Sequence, residues 1–380
     1  MEKLRLGVLG TSRKENEFRL PIHPAHWDRI DVELRGRIIV ESGYGERFGV
    51  DDGQLAPLVA GILPAADVLD ACDVCLLAKP VEDDFTRLRE GQVLWGWPHC
   101  VQDPAITQIA IDRKLTLIAW EAMNLWDDDG RYSEHIFAKN NQMAGYCSVL
   151  HAMRLRGMTG SFGPSLRAAV ISFGATARGA VTGLRALGIQ DITVLTRRSP
   201  SAVPPPLPDV AVAHYERDPE HSGRTIAFTH TGQMPLAEYV SGCDVVVNCV
   251  YQDTDAPIIF ITSDELCMVR PGNLIIDVSC DEGMGFDWAR PTTFDEPMLT
   301  VGPGVHYYAV DHSPAYLWNT ATWEISNALI PYLPVVMAGP GAWEADETIR
   351  RAIEIRDGVI HNPKILSYQG RSPAYPHPRV

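Results

Sequence analysis

The sequence predicts an α/β protein made of two Rossmann-like, doubly wound parallel-sheet domains with an active-site cleft between them. Three observations carry this. The chain has 380 residues, more than a single hydrophobic core ordinarily serves. Short β-rich runs alternate with segments long enough for crossover helices, the pattern of a parallel sheet covered on both faces. The alternation occurs twice, once before and once after the Gly/Ser/Pro-bearing stretch MTGSFGPS.

In the first half LRLGVLG, GRIIVESG, DVCLLAKP, QVLWGWPH and LTLIAWE are the strand candidates, each apolar, β-rich and bounded by turn residues. NNQMAGYCSVLHAMRLRG reads as a helix leading to MTGSFGPS, a candidate hinge. The second half offers AAVISF, DITVLTRR, CDVVVNCV, NLIIDVSC and HYYAVDHS as strands of a separate sheet. SAVPPPLPDV is too proline-rich for either regular element and is expected to be a surface loop. After Pro314, AYLWNTATWEISNALIPYL has apolar residues at helical spacing, and proline suits a helix's first turn. This helix is expected to return the chain to the first lobe. The expected division is a substrate domain of residues 1–145 plus 315–380 and a dinucleotide-binding domain of residues 146–314.

Composition narrows the classes of function. No apolar run is long enough to cross a bilayer and no charged-then-apolar leader opens the chain, so a soluble, cytoplasmic protein without a membrane partner is expected. A formal charge of −15 repels polyphosphate backbones, which argues against nucleic acid. The eight cysteines fall mostly in apolar runs, as buried small hydrophobes of a reduced compartment do. Cys72 and Cys75 have metal-ligand spacing, but no second pair accompanies them, so no metal is expected.

One stretch carries a cofactor signal. In RAAVISFGATARGAVTGLRALGIQDITVLTRRSP a strand, a tight turn and a helix stopped by Gly188 succeed one another, as in a dinucleotide-binding unit. The turn reads Ser172-Phe173-Gly174-Ala175-Thr176-Ala177, so only the middle glycine of G-x-G-x-x-G remains, at the position where backbone meets pyrophosphate. The next strand ends in Thr196-Arg197-Arg198 where an NAD site places an acid. Two guanidiniums and a hydroxyl suit a 2′-phosphate, so NADPH is expected over NADH. The expected coenzyme-binding set is Ser172, Gly174, Ala175, Thr176, Thr196, Arg197 and Arg198. Cys249, Val250 and Val278 complete it.

The first half supplies a second signal. Arg19 follows the first strand among polar residues, Lys79 closes an apolar strand before Pro80, and His99 closes the next strand. Ligands bind at the carboxyl ends of strands in open α/β sheets, so three cation-capable groups there form a candidate anion site. Glu121, at a third strand end, is a candidate to orient Lys79 or His99. Each alone has a plain reading, as a surface ion pair, a strand-end lysine or a core histidine; together they point to a site.

These motifs resemble the alanine dehydrogenase and transhydrogenase N-terminal superfamily over nearly the whole chain: KENEFRLPIHP, ESGYGERFGVDD, LLAKP, LREGQVLWGWPH, MAGYCSVLHAMR, LIIDVSCDEG and RPTTFDEP are of its type. WPHCVQDPA, VVVNCVYQDTDAPI and AVDHSPAYLWNTATWEIS are similar to lysine-forming saccharopine dehydrogenase, whereas ESGYGERFGVDD, LREGQVLWGWPH and the Arg197-Arg198 doublet resemble carboxyethylornithine synthase. The resemblance implies that Lys79 and His99 are the acid/base pair and that Arg19 binds a carboxylate. It further implies that Asp281 is a catalytic aspartate and that Asp311 and His312 lie near the amine and the nicotinamide. The expected activity is that of an opine-type reductase joining an α-keto acid to the amine of an amino acid. An ammonia-using dehydrogenase of the alanine type and a non-catalytic nucleotide sensor are the alternatives. A keto acid and an amino acid are the expected small-molecule partners, and the resemblance allows a homo-oligomer.

Overall fold

The computed structural model describes residues 3–198, 207–221, 223–229 and 232–380. They divide into two compact units, one of Met1–Ala138 with Leu317–Val380 and one of Lys139–Tyr316. Most of the expected proline loop, residues 201–206, lies outside the described residues.

The first unit is built on an eight-stranded sheet. Gly61–Leu63, Ile38–Glu41, Leu6–Val8, Val74–Leu77, Val93–Gly96 and Thr116–Ala119 lie side by side and parallel, the 3-2-1-4-5-6 order of a doubly wound sheet. The strands are apolar throughout because both faces are covered. Leu6, Val8, Val74 and Leu76 enter one core, while Leu9, Cys75 and Leu77 enter the core on the other face, as the two-residue period of a strand requires. Two short strands from the chain's end, Ile353–Arg356 and Val359–Ile360, add antiparallel pairs at the Thr116–Ala119 edge. The strand order reverses between Leu6–Val8 and Val74–Leu77. At the carboxyl end of that switch the Ser12 hydroxyl donates to the Lys79 carbonyl at 2.5 Å.

The second unit repeats the scheme. Ala211–Arg217, Asp191–Thr196, Arg167–Ile171, Val245–Asn248, Leu274–Asp277 and Val305–Tyr308 are parallel in the same 3-2-1-4-5-6 order, with antiparallel strands on both edges. Ala169, Ile171 and Val246 face one core; Ala168, Val170, Val245 and Val247 face the other. MTGSFGPS is not the hinge it was expected to be. It lies inside this unit, where the Gly160 N–H and the Thr159 hydroxyl both donate to the Leu187 carbonyl, at 2.8 and 2.9 Å. The segment thus closes the end of a helix instead of linking two bodies. None of the helices among the described residues is long and apolar enough to cross a membrane.

Candidate active site

Lys79 and His99 emerge from neighbouring parallel strands and meet. Lys79 Nζ stands 2.7 Å from His99 Nε2. At that distance one nitrogen accepts a hydrogen bond from the other, so the two bases are placed to exchange a proton. His99 is held in the left-handed region at φ 50°, a conformation costly for a residue with a side chain. Its own hydrogen bonds fix it there: its N–H donates to Glu121 Oε1 at 2.7 Å, and its carbonyl accepts from the Gln102 and Asp103 amides. Glu121 lies in the 3-10 turn Trp120–Ala122 that follows its strand. Burial first, then the Glu354 carboxylate, pushes its carboxyl well above the usual range.

Arg19 is not the surface residue its polar neighbours suggest. It is only 4% exposed, and its guanidinium forks onto Glu17, with Nε donating to Oε1 at 2.8 Å and an Nη donating to Oε2 at 2.5 Å. It also lies over the Trp97 ring, 5.1 Å from the centroid. Glu17 was missed in the sequence; a carboxylate two residues from a candidate anion-binding arginine was the available signal. The plane of the guanidinium is therefore set before any substrate arrives.

In the second unit the strand Arg167–Ile171 runs through Ser172 and Gly174 into the helix Ala175–Ala186. Ser172 has φ 108°, so the backbone retains a glycine-like conformation at the first position of the motif although the side chain does not, at a cost of about 1–3 kcal/mol. Gly174 is the N-cap and no side chain caps the helix. A side chain at 174 would find only Ser172 Oγ, 3.8 Å away, so the turn is open on that side. Ala175 and Thr176 form the first turn behind it, and Gly188 ends the chain segment beyond the helix at φ 86°. Thr196 is buried and its hydroxyl accepts from the Arg198 N–H at 3.1 Å; Arg197 and Arg198 are both exposed.

The switch point of this sheet is between Arg167–Ile171 and Val245–Asn248, where the Cys249 amide donates to the Ile171 carbonyl at 3.0 Å. A polar network that sequence reasoning missed secures the strand ends. Asp277 is fully buried and accepts from Asn248 Nδ2 (2.9 Å), the Tyr307 hydroxyl (2.8 Å) and the Cys280 N–H (3.1 Å). Burial pushes its pKa up to about 6 despite these three donors. The signal was a polar residue closing each of two apolar runs, VVVN and LIID. The Val250 amide donates to Asn248 Oδ1 and the Ser279 hydroxyl to the Val250 carbonyl, so Cys249, Val250 and Val278 emerge from pinned ends.

Asp281 is partly exposed in the following turn, its carbonyl accepting from the Met284 N–H. Asp311 and His312 are paired, Oδ1 to Nδ1 at 2.5 Å, and the buried His312 ring sets its edge against Phe294. The structure thus assembles Lys79, His99 and Glu121 in one unit, and in the same unit Arg19 lies over the ring of Trp97. In the other it assembles the Ser172–Thr176 turn with the ends of the strands beside it. Among the described residues no group of three His, Cys, Asp or Glu side chains could hold a metal ion.

Two family models match the chain: the alanine dehydrogenase/PNT N-terminal domain over residues 8–136 and the alanine dehydrogenase/PNT C-terminal domain over residues 207–363. The chain is similar to the alanine dehydrogenase of Mycobacterium tuberculosis, 25% identical over 380 residues and covering 97% of each chain. It is also similar to that of Mycolicibacterium smegmatis, 26% identical over 367 residues and covering 92% of this chain and 93% of the relative. The solved structure of an L-alanine dehydrogenase superposes with a TM-score of 0.72 at 19% identity, covering 96% of this chain and 99% of that one. With its two parallel sheets of matching strand order and both domain models in sequence, this chain belongs to the alanine dehydrogenase/PNT family.

Proposed function

We propose that this protein is a nicotinamide-dependent oxidoreductase acting at the carbon–nitrogen bond of an amino acid, with ammonia as the amine partner of an α-keto acid. One observation carries the reading: the Lys79–His99 pair, 2.7 Å apart at adjacent strand ends, in a chain whose relatives are named alanine dehydrogenases. This corrects the emphasis of the motif resemblance, which favoured a secondary-amine product.

The chain's own geometry suits the coenzyme. The open turn at Gly174 and the uncapped first turn of Ala175–Ala186 offer backbone N–H groups to a pyrophosphate. Cys249, Val250, Val278 and His312 are the residues proposed to hold the rest of the molecule, and Asp281 and Asp311 to attract the amine. When bound, the nicotinamide supplies the hydride in one direction and accepts it in the other. The protein's residues do the remainder. Arg19, with its plane set by Glu17, receives and orients the keto-acid carboxylate. Addition of ammonia to the keto carbon gives a carbinolamine, which must lose its hydroxyl as water to reach the imine. Lys79 and His99, placed to exchange a proton, give one up and recover it.

An amine larger than ammonia is the second reading, favoured by the Thr196-Arg197-Arg198 strand end and by Ser172 and Ala177 at two motif positions, all departures from the alanine dehydrogenase pattern. The test is coenzyme oxidation with pyruvate, glyoxylate or 2-oxoglutarate, each offered ammonia, lysine or ornithine. Turnover with ammonia supports the first reading, turnover with only lysine or ornithine the second, and turnover with neither overturns both.

The same strand end supports NADPH. Arg197 and Arg198 are exposed and able to pair with a 2′-phosphate. Replacing both by alanine is expected to raise the Michaelis constant for NADPH roughly tenfold or more, since charge-assisted bonds contribute about 1.5–3 kcal/mol each, and to leave NADH nearly unchanged. Equal effects on the two coenzymes, or a wild type that prefers NADH, would overturn this assignment.

A further inference from the structure

The turn that carries His99 is gripped by a segment remote in sequence that the proposed chemistry does not use. Gln369 closes the short helix Pro363–Gln369. Its Nε2 donates to the Cys100 carbonyl at 2.7 Å and reaches the Val101 carbonyl at 3.2 Å and Thr107 Oγ1 at 3.1 Å. Among the described residues no backbone N–H bonds to either carbonyl, and the Cys100 oxygen accepts otherwise from the Thr107 hydroxyl, at 2.8 Å. The Gln369 amide is fixed in this sense because its Oε1 accepts from Arg371 Nε at 2.6 Å; a flip would set an NH2 against a guanidinium. Arg371 is 5% exposed and directs its other donors to Gln108 Oε1 at 2.9 Å, the His377 carbonyl at 3.2 Å and the Pro104 carbonyl at 3.3 Å. A guanidinium buried on neutral oxygens is costly, and packing alone would be served as well by an apolar residue. The loop beyond it closes on itself, the Ser372 N–H donating to the Pro378 carbonyl and the Val380 N–H to the Gly370 carbonyl. His377 Nε2 ties that loop to the sheet by accepting from the Ile360 N–H at 3.1 Å.

We propose that Gln369, oriented by Arg371, is a positioning residue for His99. His99 has φ 50°, and a side-chain-bearing residue stays in that region only where its surroundings over-determine it. The bonds donated by Gln102, Asp103 and Thr107 fix the shape of the turn but belong to it and move with it. Glu121 on the His99 N–H and Gln369 on the two carbonyls that follow come from outside the turn, so they fix its place. Apolar packing of Ile106, Ala110 and Ile111 seats the next helix on the core, but such contact has no direction. What the clamp protects is the approach of His99 Nε2 to Lys79 Nζ, 2.7 Å apart. A misplacement of about 1 Å can cost roughly 100-fold in rate. The clamp on His99 rests on these bonds alone; its service to catalysis rests on the acid/base reading above.

Two substitutions test it. Gln369→Glu removes the donors but keeps an oxygen on Arg371, now as an ion pair, so Arg371 and the loop beyond it stay in place. Gln369→Met removes the donors without adding a charge. In protein with ring-labelled histidine, the His99 imidazole resonance, identified by its absence from His99→Asn, is expected to shift in both variants while the other imidazole signals hold. A His99 signal that does not move, or that moves only with the added charge, overturns the proposal whether or not any substrate is turned over. Should one variant fail to fold, the other gives the same reading. Turnover then reports the service to catalysis. Q369M is expected to lower kcat roughly 10- to 100-fold with coenzyme affinity unchanged. In an H99N background it should lower kcat no further, because a residue that acts only through His99 has nothing left to position. An equal loss in both backgrounds would assign Gln369 to general stability and overturn the role. Full activity in H99N would instead remove the acid/base reading and leave the clamp to be judged by the resonance.

Discussion

His99→Ala lowers turnover by roughly 100-fold or more, the usual scale of general acid/base catalysis, while coenzyme binding stays near its wild-type value. Lys79 Nζ has His99 Nε2 at 2.7 Å; removing the imidazole leaves an ammonium with no base to exchange with. The backbone should survive, because the Glu121 carboxyl, Gln102 and Asp103 still hold residue 99. His99→Asn separates the two contributions: asparagine tolerates the left-handed conformation better than alanine does yet cannot transfer the proton. Both variants losing turnover alike, with coenzyme affinity measured by fluorescence titration unchanged, identifies proton transfer. Full activity in H99N would assign His99 to shape alone.

Gly179→Ala has the largest expected effect on stability. A Cβ there would stand 1.7 Å from the Gln142 carbonyl oxygen, and one at Gly145 would stand 2.0 Å from that of Thr176. The helices Ala138–Leu155 and Ala175–Ala186 touch backbone to backbone at these two glycines, so neither can yield by rotating a side chain. Overpacking of this kind costs about 3 kcal/mol, and calorimetry of the full chain should show a clear fall in its melting temperature. The displaced helix is the one whose first turn follows Gly174, so coenzyme affinity should fall with it. Wild-type stability in G179A would mean the helices can part freely.

Much of this was legible in the sequence. Ten apolar, β-rich runs gave parallel strands because both faces of each sheet are covered, and continuous apolarity marks that situation. Lys79, His99 and the Ser172–Thr176 turn were legible because strand ends and glycine turns are local features. What escaped depends on distance along the chain. Glu354 lies 233 residues after Glu121 in a run, IEIR, whose alternating charges resemble an exposed strand; pairing with Thr116–Ala119 buries it. Ser172 read as a lost glycine, yet its φ of 108° preserves the conformation the glycine would have had. MTGSFGPS has the composition of a linker, and only its bonds to the Leu187 carbonyl show that it is fixed.

In the proposed function, reduction takes place at a carbon–nitrogen bond whose formation Lys79 and His99 assist. Coenzyme carrying deuterium at its transferring carbon, incubated with wild-type protein, a keto acid and an amine, tests it by mass spectrometry of the products. Deuterium is expected on the α-carbon of an amino acid. Deuterium on a 2-hydroxy acid, or no transfer with any of the amines, would contradict it.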